Sequence, residues 1–296
     1  MTKVTSLKDV WERVMKILRS LLATAAVVAL AVGCSGGSGN LAGTDVVPAE
    51  GSIRIGVKVD QPGLGYVVDG EHVGLDVDIA EEVAHRLGYS SEQIEWVEAP
   101  SAEREDMLVG DKVDMIVGTY SMTDERREVV DFAGPYFVAG QDLLVKWDDQ
   151  SMDDGLRALD GKLVCSVTGS TSIKRIAEEA PAGTGTMEHP GYMACVEELN
   201  NGNVDAVTTD DIILAGMAAI PENVGNLRVV GVPFSIERYG IGLQPGSDLC
   251  EPVTNALKSM FKDSTWIDLV EQNTAGTDYQ PIEGLNPPVL DECPSR

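Results

Sequence analysis

The sequence has few positive charges. Its 296 residues include 22 Lys and Arg against 48 Asp and Glu, which gives a formal net charge of −26. A protein that binds nucleic acid needs a basic surface for the phosphates, and electrostatic docking on anionic lipid needs one as well. We therefore expect no nucleic-acid partner and no membrane contact through the folded surface. The chain is otherwise ordinary for a globular protein, with 43% hydrophobic residues.

Long hydrophobic runs are also missing, apart from one near the amino terminus. Residues 21–32 follow several basic residues and are too few and too Ala-rich for a spanning helix. The sequence LAVGC at 30–34 resembles a bacterial lipobox, whose cysteine is diacylated with palmitate-type chains. We expect a lipoprotein signal peptide over 1–33, lipidation at Cys34, a flexible tether over 34–49, and anchoring to the outer face of the plasma membrane. A plain secretory signal with an incidental cysteine is the alternative.

The sequence contains three histidines and no Cys-x-x-Cys pair, so we expect no metal and no cofactor. Four cysteines remain after Cys34, and an even number in an exported chain favours disulfides. Four cysteines allow three pairings. We favour Cys165–Cys195 and Cys250–Cys293, because each pair then lies within one predicted structural unit. The second pair would fasten the Pro-rich tail to a helix.

Strand and helix patterns alternate along the chain after Ser52, which predicts an α/β fold with mixed sheets. In such sheets, ligands bind at the carboxyl ends of strands, beside helix amino termini. Asp78 and Glu81 have capping-box spacing, and Thr123 is a candidate helix cap. Strands are predicted over 53–59, 113–117, 162–166, 204–208, 228–234 and 238–243. Helices are predicted over 78–87, 101–108, 211–218, 247–261 and 265–272, and from Thr123 and Ile173.

Four sequence blocks carry a family resemblance. They are GLDVDIA at 74–80, GDKVDMI at 110–116, TDERR at 123–127 and VDFAGPYF at 130–137. Over about 50–275 the chain resembles family 3 extracellular solute-binding proteins, the polar amino-acid receptors of ABC importers. The segments DQPGLG at 60–65 and VTTDD at 207–211 are most similar to actinobacterial glutamate-binding lipoproteins.

The resemblance implies a two-lobed, type II periplasmic-binding-protein-like fold with flanking helices and two hinge crossovers. Lobe 1 would comprise 50–142 and 239–296, the latter including the carboxyl-terminal tail, and lobe 2 would comprise 143–238. The two lobes would close on a ligand held between them. The same resemblance implies a monomer without enzymatic activity.

The resemblance also implies a set of groups that recognise an amino acid. Arg126 would hold the α-carboxylate as a bidentate fork, with Thr119 and Ser121 nearby. Thr171 would bind the carboxylate from the opposite lobe. Asp210 would accept the α-ammonium group. Considered alone, Arg126 could be a solvated arginine in a charged helix, and Asp210 could be a helix N-cap.

The side-chain preference rests on two further cations. Lys58 lies near the end of the first strand, and Arg104 follows Ser101 at a spacing that places both on one helix face. Both positions would contact the second carboxylate of an acidic amino acid. Tyr192 falls where related glutamate/aspartate binders have histidine. From the residues alone, Lys58 could equally be an edge-strand lysine and Arg104 a surface residue paired with a glutamate.

These features predict a receptor for glutamate, and for aspartate as a second candidate, that delivers its ligand to ABC permease subunits. Two alternatives use the same cleft. One is a sensor that feeds a membrane kinase, and the other is a dehydratase. An enzyme would need an unpaired general acid or base, and no histidine falls at a predicted site position.

Overall fold

The computed structural model describes residues 49–294. The predicted signal peptide, Cys34 and all of the tether except its last residue lie outside the described residues. Within the described part, no helix combines the length and the apolar character needed to cross a bilayer.

Thirteen strands and eight α-helices are present between residues 49 and 294, together with short 3-10 turns at Ser91–Gln93 and Gly155–Leu159. The strands are β1 (Ile53–Val57), β2 (Asp60–Gln61), β3 (Gly65–Val68), β4 (Glu71–Val73), β5 (Ile94–Glu98), β6 (Met115–Ile116), β7 (Asp131–Ala139), β8 (Gln141–Lys146), β9 (Leu163–Val167), β10 (Gly185–His189), β11 (Ala206–Asp210), β12 (Leu227–Val229) and β13 (Glu237–Leu243). The helices are α1 (Leu75–Arg86), α2 (Arg104–Val109), α3 (Asp124–Arg127), α4 (Thr171–Glu179), α5 (Tyr192–Asn201), α6 (Asp211–Ala219), α7 (Cys250–Lys262) and α8 (Thr265–Thr274).

Lobe 1 is built on a sheet with the strand order β5-β1-β6-β13-β7. Strand β1 runs parallel to β5 and β6, whereas β13 is antiparallel to β6 and β7. Ile55 and Val57 of β1 are completely buried beneath the flanking helices. The alternating pattern of 53–59 therefore corresponds to a real strand, and its carboxyl end faces the cleft.

Lobe 2 is built on a sheet with the order β10-β9-β11-β8-β12. The chain changes sheets twice, once at Gly140 between β7 and β8 and once between Val229 and Glu237. This confirms the predicted two-lobed α/β architecture with mixed sheets. Strand β11 is parallel to β9 and antiparallel to β8, so its carboxyl end delivers Asp210 directly to the start of α6.

Several predicted element ends were wrong for local reasons. Helix α1 begins at Leu75, three residues before Asp78, because Gly74 has a φ of 114° that lets the chain turn into the helix. The capping box is absent, and Asp78 instead accepts a hydrogen bond from Asn273 Nδ2 at 2.6 Å. Thr123 does cap α3, since its hydroxyl accepts from the backbone N–H of Arg126.

Other predicted elements are shorter in the structure. The strand predicted over 228–234 ends at Val229, because Gly231 has a φ of 81° and Pro233 has no N–H for a sheet ladder. The strand predicted over 113–117 contains only β6. The helix predicted from 101 begins at Arg104, after a turn.

Both expected disulfides are present. Cys165 of β9 is bonded to Cys195 of α5, with 5.5 Å between their Cα atoms. Cys250 of α7 is bonded to Cys293 of the carboxyl-terminal tail, with 6.0 Å between their Cα atoms. The second bond fastens the tail to lobe 1, as predicted.

Replacing Cys250 and Cys293 together by alanine should lower the free energy of unfolding by about 2–4 kcal/mol, because the bond closes a long loop in the unfolded chain. Urea denaturation of the double variant measures this loss. Wild-type protein in which both disulfides are reduced shows how much stability the two bonds contribute together. If unfolded, unreduced wild-type protein reacts with a thiol reagent at these positions, the pairing is wrong.

Candidate ligand-binding site

A narrow cleft lies between the two lobes. Three helices of lobe 2 (α4, α5 and α6) begin at this cleft, and helix amino termini favour negatively charged groups. Its lining consists of Ser101, Arg104, Thr119, Arg126, Ser170, Thr171, Ser172, Tyr192, Asp210 and Ile213. Seven of the nine predicted ligand-binding residues are therefore brought together, and Lys58 and Ser121 are not part of the lining.

Arg126 is anchored by its own chain but keeps free donors. Its Nε donates to Glu105 Oε1 at 3.0 Å, Nη1 to the carbonyl of Ser121 at 2.9 Å, and Nη2 to the carbonyl of Gly169 at 3.2 Å. Arginine has five N–H groups, so one remains on each Nη atom. The guanidinium is thus fixed in position while it can still donate two hydrogen bonds to a carboxylate.

Arg104 is a buried cation that forms no ion pair, although the charges of Glu105 and Asp76 act on it from a greater distance. It is 2% exposed, and it has neither an ion pair nor a hydrogen bond within residues 49–294. Burial and the nearby charge of Arg126 lower the pKa of Arg104. Its guanidinium carbon lies 5.0 Å from the centre of the Tyr120 ring, and that of Arg126 lies 4.8 Å from the same ring. The two cations therefore share one aromatic platform, and only Arg126 is paired with a carboxylate.

Asp210 provides a carboxyl group that faces the cleft from lobe 2. It occupies the position before α6, but its side chain does not cap the helix. Oδ2 accepts from the Tyr239 hydroxyl at 2.5 Å, while Oδ1 is buried without a partner. Burial raises the pKa of Asp210 well above its usual range. Asp211 instead bonds the nearby backbone N–H groups, so Asp210 Oδ1 is available to accept from a cationic ligand group.

The hydroxyl-bearing residues that were predicted for the site make different contacts. Ser121 Oγ lies 3.4 Å from Thr171 Oγ1, which joins the lobes beside the cleft. The Tyr192 hydroxyl accepts from Thr209 Oγ1 at 2.8 Å, and burial raises the pKa of Tyr192 to about 12. Ser101 is 4% exposed and faces the cleft from lobe 1.

Lys58 lies behind the lining instead of in it. Its Nζ is 3.3 Å from Asp60 Oδ1, and the side chain is only 4% exposed. Burial lowers the pKa of Lys58, and the Asp60 charge opposes that effect. Lys58 is therefore already paired in this arrangement of the lobes.

A buried chain of hydrogen bonds beneath the cleft was missed by the sequence analysis. Asp76 Oδ1 accepts from the Tyr136 hydroxyl at 2.6 Å, and that hydroxyl accepts from the backbone N–H of Thr119 at 3.1 Å. Thr119 has a φ of 48°, a conformation that side-chain-bearing residues seldom adopt. Burial raises the pKa of Asp76 to about 6. No local sequence signal marks Asp76, because its partners are distant in the chain.

Ser170, Ser172 and Ile213 also line the cleft without having been predicted. Ser170 had a recognisable signal, since a serine just before a predicted helix is a common N-cap, and its hydroxyl does accept from the Ile173 N–H. Residues 49–294 contain no cluster of three or more His, Cys, Asp or Glu suited to a metal ion.

The fold and the cleft define the class of the protein, a two-lobed solute-binding protein of the periplasmic type II architecture. An ancestral arginine-binding protein, solved with arginine bound, superposes with a TM-score of 0.69 at 33% identity, over 75% of this chain and 98% of that one. The chain belongs to the bacterial extracellular solute-binding proteins, family 3, which match residues 53–275.

Two relatives of this sequence are named for different ligands. The glutamate-binding protein GluB of Corynebacterium glutamicum is 41% identical, over 95% of this chain and 97% of the relative. The ABC transporter glutamine-binding protein GlnH of Bacillus subtilis is 36% identical, over 74% of this chain and 80% of the relative. An acid and its amide are thus both represented among similar proteins.

Replacing Asp76 by asparagine should change how stability depends on pH. The folded protein holds the Asp76 proton more tightly than the unfolded chain does, so this stabilisation is present below about pH 4 and is lost as the pH rises through about 6. Between pH 4 and 7 the wild type should lose up to about 3 kcal/mol relative to Asp76→Asn. Denaturant unfolding of the ligand-free proteins tests this. Asp268→Asn, at an exposed position of α8, is the control, and parallel pH curves for Asp76→Asn and wild type would contradict the assignment.

Proposed function

We propose that the protein is the extracellular receptor of an ABC importer and binds an acidic amino acid, with glutamate as the first candidate and aspartate as the second. The ligand would sit in the cleft between the lobes and be released to permease subunits in the membrane. The observation that carries this proposal is Arg104, a buried cation that forms no ion pair among the described residues.

Each charge of the ligand has a complementary group in the cleft. The α-carboxylate would accept from the two free N–H groups of Arg126 and lie near the start of α4 at Thr171. The α-ammonium would donate to the free Oδ1 of Asp210. The second carboxylate would neutralise Arg104. Such a ligand leaves none of these three buried groups unpaired.

Selection against a neutral amide follows from the cost of leaving Arg104 unpaired. A hydrogen bond to a charged group contributes roughly 1.5–3 kcal/mol, and a buried charge without a partner costs more. Glutamine would offer only an amide oxygen, so a preference for glutamate of about tens-fold is expected. Each charged group that lines the cleft has a ligand group to bind, which supports a receptor in preference to a dehydratase.

Arg104→Met should weaken glutamate binding by about 10- to 100-fold and affect glutamine much less. The same change should raise the stability of the ligand-free protein, because it removes an uncompensated buried charge. Calorimetry with both amino acids and thermal melting measure these two effects.

Two further variants are compared with Arg104→Met. Arg157→Met, at an exposed arginine of lobe 2, is the matched control and should leave both measurements unchanged. Arg126→Ala should abolish binding of either amino acid. Equal affinity of the wild type for glutamate and glutamine would remove Arg104 from this role.

We also propose that the mature chain is held at the outer face of the plasma membrane by lipid on Cys34. The lipobox-like sequence at 30–34 and the Gly/Ser-rich stretch after it support this. Two acyl chains suffice for stable anchoring, whereas one is marginal.

Labelled palmitate should enter the wild-type protein and the neighbouring control Ser35→Ala, but not Cys34→Ala. The cysteine variant should also leave the membrane fraction. Palmitate incorporation that persists in Cys34→Ala would rule out this site of lipidation.

A further inference from the structure

The hairpin formed by β2 and β3 of lobe 1 contacts lobe 2 beside the cleft. It begins at Asp60, whose Oδ2 accepts from the backbone N–H of Tyr192, the first residue of α5, at 2.6 Å. The residue before this helix is Gly191, which has no side chain to cap it. The carboxylate that caps α5 therefore comes from the opposite lobe.

At two glycines near this contact, any side chain would crowd the segment from lobe 1. A Cβ atom at Gly191 would come within 2.6 Å of Asp60 Oδ2. A Cβ atom at Gly216 of α6 would come within 1.9 Å of the Pro62 carbonyl in the same hairpin. Two helices of lobe 2 thus have glycine where the hairpin approaches, which indicates a fitted contact between the lobes.

The second oxygen of Asp60 compensates a buried charge within lobe 1. Oδ1 lies 3.3 Å from Lys58 Nζ. The other charged groups that act on Lys58 are Arg104, which repels it, and Glu98, which attracts it more weakly than Asp60. Asp60 is the one carboxylate within ion-pair distance of Lys58 among residues 49–294.

We propose that Asp60 is an inter-lobe latch, a positioning residue that holds the cleft closed over its ligand by capping α5 and neutralising Lys58. This inference rests on the proposed function, since it concerns retention of the ligand in that cleft. It also gives the two cations different roles. Lys58 pairs with Asp60, and Arg104 binds the second carboxylate of the ligand. Opening the lobes breaks the bond to Tyr192, because its two partners lie on different lobes.

A latch that forms only after the lobes meet affects dissociation more than association. Asp60→Ala should therefore speed glutamate release by about 10- to 100-fold, in line with loss of a helix cap and an ion-pair partner, with association changed by less than about threefold. Stopped-flow measurements with glutamate give both rates. The ligand-free variant should melt at a lower temperature, because Lys58 loses its counter-charge, and adding Lys58→Met should restore the melting temperature, which a general folding defect would not allow.

Two variants separate the two roles of Asp60. Asparagine is also a good N-cap, so Asp60→Asn keeps the bond to Tyr192 but leaves Lys58 without its counter-charge. Its release rate should fall between those of the wild type and Asp60→Ala. Adding Lys58→Met to Asp60→Asn should return the release rate towards the wild-type value.

The matched control is Asp69→Asn, in the next turn of the same three-stranded sheet, between β3 and β4. Asp69 is exposed and has a φ of 53°, which asparagine tolerates, so its rates should match the wild type. If the wild type binds glutamate and Asp60→Ala releases it at the wild-type rate, the latch is wrong and the proposed function stands. If the wild type does not bind glutamate, the proposed function fails and takes this inference with it.

Discussion

An unpaired buried cation is the constraint on which the cleft depends. Arg104 is removed from water, its burial lowers its own pKa, and no carboxylate within residues 49–294 pairs with it. Folding to this state costs free energy that the chain recovers only when an anion arrives. Arg126 packs against the same Tyr120 ring but is already held by Glu105. The two cations therefore differ in their partners: Arg126 is held by a carboxylate, whereas Arg104 has none within ion-pair distance.

Both lobes contribute groups that attract anions, and lobe 2 also contributes a carboxyl group. Lobe 1 supplies both arginines, and lobe 2 supplies Asp210 and three helix amino termini. A zwitterion with an additional carboxylate can span these features only when the lobes are together. The net charge of −26 does not prevent anion binding, since distant exposed charges are screened within roughly 8 Å at physiological salt. Local geometry, more than the overall charge, decides what the cleft accepts.

The sequence predicted features that depend on neighbouring residues better than those that depend on distant ones. Thr123 was predicted as a cap because its partner, Arg126, is three residues away. The start of α1 was misplaced because the backbone freedom of Gly74 outweighed an apparent capping box. Asp60 and Asp76 were missed for a different reason. Their partners, Tyr192 and Tyr136, lie 132 and 60 residues further along the chain, and only the folded structure brings each pair together.

The same long-range contacts explain why a strained residue is tolerated in the cleft. Thr119 has a positive φ, which costs free energy for a residue with a branched side chain. Its N–H is held by the Tyr136 hydroxyl, which is held in turn by the buried Asp76 carboxylate, and its own hydroxyl donates to the Gly118 carbonyl. The raised pKa of Asp76 and the positive φ of Thr119 therefore both lower the stability of the fold at this one place. Both costs fall on residues under the cleft, so the structure gives up some stability there while it holds these polar groups in place.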